Sequence, residues 1–302
     1  MADINSTVAA PFIPEIWANR ALEILRNNIV VAPLVTKDSD LAVFNEGQTL
    51  SVPYPGTFTA NTKTEGSAVT LQTPTGSSAT VTLNKHKESS FLIEDYARAI
   101  ALPYTMDAYL NGPIVALAEQ VETDLIALYA TFSGQYGTAG TSLAAADLRA
   151  INKRFTDNKV ARGNRHVVIS TKDTAAILAD ANLQSFLAFN ASRGDITNGL
   201  ISDNLFGLQV HESQLIPTTG SAPVATHNLA FDPGAIILAS RALPEAPVGS
   251  GVHQAVVQDP MSGLNIRISM SYSANNLGVQ VTADVLYGVA ILRDAKGFSY
   301  AS

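Results

Sequence analysis

The chain has 302 residues and a formal net charge of −7, from 26 acidic against 19 basic side chains, and no cysteine. The absent thiol excludes disulfides, thiolate metal sites and cysteine nucleophiles, and the acidic balance argues against a protein whose main task is gripping phosphates. Only 15% of residues are charged, well below the usual quarter, so either Ser, Thr, Asn and Gln carry the polar surface or an assembly covers much of it.

The first predicted element is a helix in PFIPEIWANRALEILRNNIV (11–30). Pro14 suits a first helical position, where its missing N–H costs nothing. Glu15 and Arg26 sit at the ends that the helix dipole favours. Trp17, the only tryptophan, shares one apolar stripe with Ala21, Ile24 and Leu25. From Leu41 to Asp95 the texture turns to Thr, Ser, Gly and Pro. TLSVPYPGTF (49–58) and ATVTLNKHKESSFLI (79–93) read as extended arms. The polar stretch between them reads as a disordered loop or, as the flanking arms suggest, the end of a long β-hairpin that has little core of its own and is either mobile or held by another chain.

Pro113 opens the strongest helix, PIVALAEQVETDLIALYATF, with Ile114, Leu117, Ala118, Val121, Leu125 and Leu128 on one face. Glu119, Glu122 and Asp124 are expected off that face. A shorter helical piece from Pro103 precedes it, with a kink at Gly112-Pro113, and residues 134–142 form a flexible break. A further helix carries Ala144, Leu148, Ile151 and Phe155. RHVVIS (165–170) is a short buried strand, and Ser170 with Asp173 starts the next helix as a capping box. The tail is β-rich. Leu264, Ile266, Ile268, Met270 and Tyr272 alternate with polar residues, as do Val279, Val281, Ala283, Val285 and Tyr287, and SANNLG joins the two as an antiparallel pair.

The sequence offers no motif for chemistry. His86, His166, His211, His227 and His253 are scattered without metal-ligand spacing, and neither a phosphate loop nor a nucleophile elbow occurs. No catalytic, cofactor or metal residue is assigned. HKESS (86–90) reads as a charge-blunted strand edge, with a subunit contact as the alternative. Lys153, Arg154, Lys159, Arg162 and Arg165 form a basic stretch, read as a solvated helix end and loop. No apolar run approaches the ~18 residues of a membrane span, and MADINSTVAA shows no secretory pattern.

The order of parts resembles the major capsid protein of tailed double-stranded-DNA bacteriophages. The matching pieces are FIPEIWANRALEILRNNIV, EGQTLSVPYPG, SSFLIEDYARAI, VETDLIALYATF, GLQVHES, AFDPGAIILA and ADVLYGVAILRDAKG. The resemblance implies an α+β capsid fold: an N-terminal arm (1–40), an extended β-hairpin loop (41–95), a peripheral domain with a long spine helix (96–160 and 252–302), and an axial domain (161–251). It implies a shell subunit that forms hexamers and pentamers of an icosahedral capsid in the virion, assembled in host cytoplasm. A separate scaffolding protein, a portal and a decoration protein are the implied partners, and the shell encloses DNA without binding it tightly. Trp17, Ile24, Leu25, Lys63, Glu65, Lys85 and Lys87 are the expected assembly contacts. Two alternatives stay open: an encapsulin-type compartment shell, and a secreted β-rich adhesin, against which the long helix and the absent signal pattern count.

Overall fold

The computed structural model describes residues 20–25, 29–38, 49–54, 56, 58–73, 76–96, 105–180, 200–247 and 249–302. Trp17 lies outside them. Helix α1 (20–25) leads through a short 3-10 turn, Ala32–Leu34, into strand β1 (Thr36–Asp38). Strands β2 (Thr49–Tyr54) and β3 (Ser77–Thr82) pair antiparallel, with Leu50 opposite Val81. Strand β4 (Lys85–Glu94) follows, then helix α2 (Thr105–Ile126) and strand β5 (Gln135–Gly137). Next come helix α3 (Ala145–Asp157), strand β6 (His166–Ile169), helix α4 (Thr171–Ala179), and strands β7 (Leu200–Leu205) and β8 (Leu208–Glu212). The rest is β: β9 (Thr218–Thr219), β10 (Ala225–Phe231), β11 (Ile236–Arg241), β12 (His253–Gln258), β13 (Asn265–Ser273), β14 (Gly278–Ile291) and β15 (Gly297–Ala301).

The first sheet has six strands, ordered β1-β11-β14-β13-β12, with β4 paired to β14 as well. Strand β14 is its axis. On one side β4 pairs with Gly278 through Tyr287; on the other β13 takes Gly278 through Val285 and β11 takes Leu286 through Ile291. Side chains alternate along a strand, so Val281, Ala283, Val285 and Tyr287 share one face, as the sequence pattern predicts, and all four are buried. Against that face lies α2, which buries Ile114, Leu117, Ala118, Val121, Leu125 and Ile126. Where two helical pieces were expected, α2 runs through Pro113 as one helix of 22 residues. Glu122 corrects the expectation for the helix face: it is buried on the apolar side, 1% exposed.

The hairpin also differs from the sequence reading. Only 79–82 of the second arm pairs with β2; after a turn at Asn84, whose N–H bonds Thr82 O, residues 85–94 leave the hairpin for the first sheet. The hairpin root has a small core of its own. Leu50, Val81 and Leu83 pack on Ile237 and Ala239 of β11, whose alternate residues Ile236 and Leu238 belong to the main core. Both faces of β11 are therefore covered.

The second sheet has seven strands, ordered β5-β15-β10-β6-β8-β7, with β9 on β10. Its alternation divides two cores. Val168, Leu229 and Phe231 face the main core; Val167, Ile169, Ala230 and Phe298 face a second core with Leu148, Ile151 and Phe155 of α3 and Ile177 of α4. The Ser170 side chain accepts from Asp173 N–H and caps α4, as its sequence signature predicts. Strand partners cross the segment bounds expected from the sequence: β11 joins the first sheet, while α3 and β15 build the second.

The hairpin root sits so close to β14 that a Cβ at Gly288 would lie 2.3 Å from the Thr82 carbonyl oxygen. Gly288→Ala must push β3 away, and overpacking of this kind costs about 1–3 kcal/mol. Urea unfolding of the purified chain should show that loss. An unchanged midpoint would mean that β3 does not rest on this residue.

Candidate assembly surface

Beyond the Tyr54–Ser77 pair the hairpin continues as an exposed excursion. Its two sides are held together by a side chain in place of a ladder: Gln72 Oε1 accepts from Thr59 N–H at 2.9 Å, and Gln72 Nε2 donates back to Thr59 O. At the tip, Ser67 N–H bonds Thr64 O and Gly66 takes φ +79°, a conformation that favours glycine. Lys63 Nζ donates to the carbonyls of Thr64, at 2.8 Å, and Ser67. The expected contact Lys63 is thus occupied with closing its own turn, while Glu65 is exposed beside it.

The tip also carries residues that the sequence reading passed over as polar loop. Phe58, Val69 and Leu71 are 65%, 66% and 89% exposed. An exposed leucine needs no explanation alone, but three large apolar side chains on one excursion remote from either core do. Their signal was the i, i+2 spacing of Val69 and Leu71 inside a Thr-rich stretch.

At the hairpin's foot the charges are spent within the chain. Lys85 Nζ meets Asp124 Oδ1 at 2.9 Å, and Tyr287 OH donates to Asp124 Oδ2 at 2.6 Å. Burial works against the Asp124 charge, yet the Tyr287 and Lys85 hydrogen bonds, with the charges of Lys85 and Lys87, hold its carboxyl below the usual range. Burial, and after it the same Asp124 contact, pushes the Tyr287 phenol up. Lys85 therefore fastens β4 to α2. On the opposite face His86, Asp284 and Arg267 form a row across β4, β14 and β13, with Arg267 bidentate on Asp284 at 3.1 and 2.6 Å. Of the other expected contacts, Leu25 is 1% exposed in the main core of its own chain, with Ile24 half-buried against that core.

The basic stretch is corrected at two positions. Arg165 is 1% exposed, its guanidinium ringed by oxygens: Nε donates to Ala161 O at 3.1 Å, Nη1 to Asn152 and Thr156, and Nη2 to Val160 O. It closes the turn after α3 and offers nothing to a phosphate. Arg154 stacks its guanidinium 3.4 Å from the Tyr136 ring centroid. Lys153, Lys159 and Arg162 are exposed, as a solvated helix end requires.

His166 and His211 meet on neighbouring strands with ring nitrogens 3.2 Å apart, and burial, then each other's proximity, lowers His211 to about 4. Both are neutral at pH 7, His166 buried and His211 half-buried. His227 stacks on Tyr129 with ring centroids 4.3 Å apart. Among the described residues no three His, Asp or Glu side chains gather where they could hold a metal, and no helix is long and apolar enough to cross a membrane.

Two sheets, a long helix under the strand-rich half and a projecting hairpin make an α+β architecture: the chain has the fold of tailed-phage major capsid proteins. No protein-family model and no curated protein matches the sequence. Solved structures match its fold. The capsid structure of cyanophage P-SCSP1u superposes with a TM-score of 0.62 at 13% identity, over 90% of this chain and 87% of that one. The capsid asymmetric unit of cyanophage Pam1 gives 0.60 at 12% identity, over 92% and 91%. A virus-like particle from Pyrococcus furiosus gives 0.55 at 10% identity, over 95% and 99%.

The contrast between two neighbouring arginines is testable. Arg165→Ala strands a ring of carbonyls and should cost about 3 kcal/mol or more in urea unfolding, while Arg162→Ala should leave the midpoint unchanged. Equal effects would contradict the division into core and surface.

Proposed function

We propose that this chain is the shell subunit of an icosahedral phage capsid, built from hexamers and pentamers of itself and enclosing DNA in the virion. The observation that carries the reading is the fold match over about nine tenths of both chains to phage capsid structures. The hairpin supports it independently. A thin excursion with three exposed large apolar side chains is a poor element for a monomer and a good one for a lattice. Capsids of several phages stand among the matched structures, which supports the phage capsid over a cellular compartment.

In this reading the six-stranded sheet and α2 form the peripheral body, and the seven-stranded sheet with α3 and α4 forms the axial body. The hairpin tip, with Phe58, Val69, Leu71 and Glu65, lies on a neighbouring subunit. Trp17, Ile24 and Lys87 belong to contacts along the arm and the foot of β4. No catalysis is assigned. The net charge of −7 suits a wall that encloses DNA without gripping it, since tight phosphate neutralisation needs clustered cations. A scaffolding protein, a portal and a decoration protein complete the assembly, which takes place in host cytoplasm.

Replacing Phe58 and Leu71 together by Ser should leave secondary structure intact by circular dichroism while shifting material from particles to free subunits in sedimentation and negative-stain microscopy. Each exposed apolar side chain buried at such a contact is worth about 1.5–3 kcal/mol, enough to move assembly by one or more orders of magnitude in concentration. Particles of unchanged number and thermal stability would remove the tip from the lattice.

A further inference from the structure

The first turn of α4 opens on a cavity of about 490 Å³, lined among others by Ser170, Thr171, Lys172, Ser213, Thr218 and Thr226. Helix α4 has nine residues, and the Ser170 hydroxyl that caps it takes Asp173 N–H, the third amide. The first two, of Thr171 and Lys172, have no carbonyl within the helix to reach, and they form the positive end of its dipole. Lys172 adds an ammonium beside them. One of its three protons goes to Thr141 O at 2.6 Å, which leaves two.

An independent feature of the same cavity is Thr226 of β10, 3% exposed. Its backbone is paired: N–H donates to Ser302 O at 2.9 Å, and its carbonyl accepts from Ser302 N–H at 3.0 Å. Thr226 shares a face of β10 with Asn228, whose Oδ1 accepts from Ser170 N–H, so its side chain is turned towards the start of α4. Buried hydroxyls are ordinarily hydrogen-bonded, yet that of Thr226 has no partner among the described residues. Ser213, 5% exposed, accepts from Leu215 N–H at 3.3 Å and gives its own proton to no acceptor among them. The cavity wall is thus rich in donors, and no acidic side chain lines it. Asp173, the next residue of the helix, is 0% exposed, and its oxygens are taken by Ser170, Asn228, Ser302 and Leu143 N–H.

We propose that this cavity binds a phosphate-type oxyanion. The Thr171 and Lys172 amides and the Lys172 ammonium hold it from the helix side, and Thr226 and Ser213 donate their hydroxyl protons from the strand side. A tetrahedral oxyanion presents acceptors in both directions, whereas a carboxylate presents two on one side. The volume exceeds what bare phosphate requires, so a phosphate ester fits as well. This inference is independent of the assembly reading.

Isothermal titration calorimetry of the full chain with inorganic phosphate, at pH 7 and constant ionic strength against a chloride blank, tests this. One phosphate per chain should bind. Thr226→Val keeps the shape and removes only the hydroxyl; it should weaken binding about tenfold, as loss of a hydrogen bond to a charged group does. Lys172→Met should weaken it at least as much, while Arg162→Ala, in the exposed basic stretch, should leave it unchanged. A short DNA duplex as a competitor identifies the source: displacement of phosphate means that phosphodiesters enter the site, and no displacement means that free phosphate or a monoester is the ligand, both in keeping with the proposal. No saturable binding to the unmodified chain, undiminished binding in Thr226→Val and Lys172→Met, or a loss seen only in Arg162→Ala would overturn it. Should Thr226→Val fail to fold, Lys172→Met, at an exposed side chain, decides.

Discussion

Strand β14 is the constraint on which the fold depends. Its fourteen residues are flanked on both sides for most of their length, by segments that lie far apart in the chain: 85–94, 236–241 and 265–273. One face packs on α2, and at Gly288 the other admits the hairpin root at a distance only glycine allows. A slip of one residue would turn Val281, Val285 and Tyr287 to the wrong face, and would also carry β4, and with it the hairpin, out of place. The projecting element is therefore aimed by the most firmly specified strand in the molecule.

Buried polar groups fix the remaining joints, each fully partnered as low-dielectric surroundings demand. Glu122 ties the arm segment to α2, and Arg165 closes the turn behind α3. Asp173 gathers Ser170, Asn228 and Ser302 on one carboxylate oxygen, at 2.9, 2.7 and 2.6 Å, and takes Leu143 N–H on the other. These three sites lie at seams between sequence segments. Removing one member leaves the others buried without partners, so they specify the arrangement of elements that apolar packing alone would leave looser.

Much of this was legible in the sequence because it is local. Period-2 alternation marked β13 and β14, period-3.6 spacing marked α2 and α3, and Ser170 with Asp173 marked the start of α4. Glu122 was misread on polarity although helix geometry pointed the other way: it stands four residues after Ala118 and three before Leu125, on the buried stripe. Arg165 was taken for surface because what buries it, the oxygens of Asn152, Thr156, Val160 and Ala161, is backbone and turn geometry that composition does not display. The departure of β4 from the hairpin was hidden too, since an arm can pair with its neighbour in sequence or with a strand two hundred residues on. Only the tertiary partner decides.

The architecture assigns different work to its two ends: the paired and partnered body resists deformation, and the hairpin tip exposes apolar side chains that no residue of its own subunit covers among those described. Electron cryomicroscopy of particles assembled from the unmodified chain measures this directly. Closed shells in which density for residues 58–73 lies across an adjacent subunit are the predicted result. A monodisperse monomer under all assembly conditions, or shells in which that hairpin folds back on its own subunit, would contradict it.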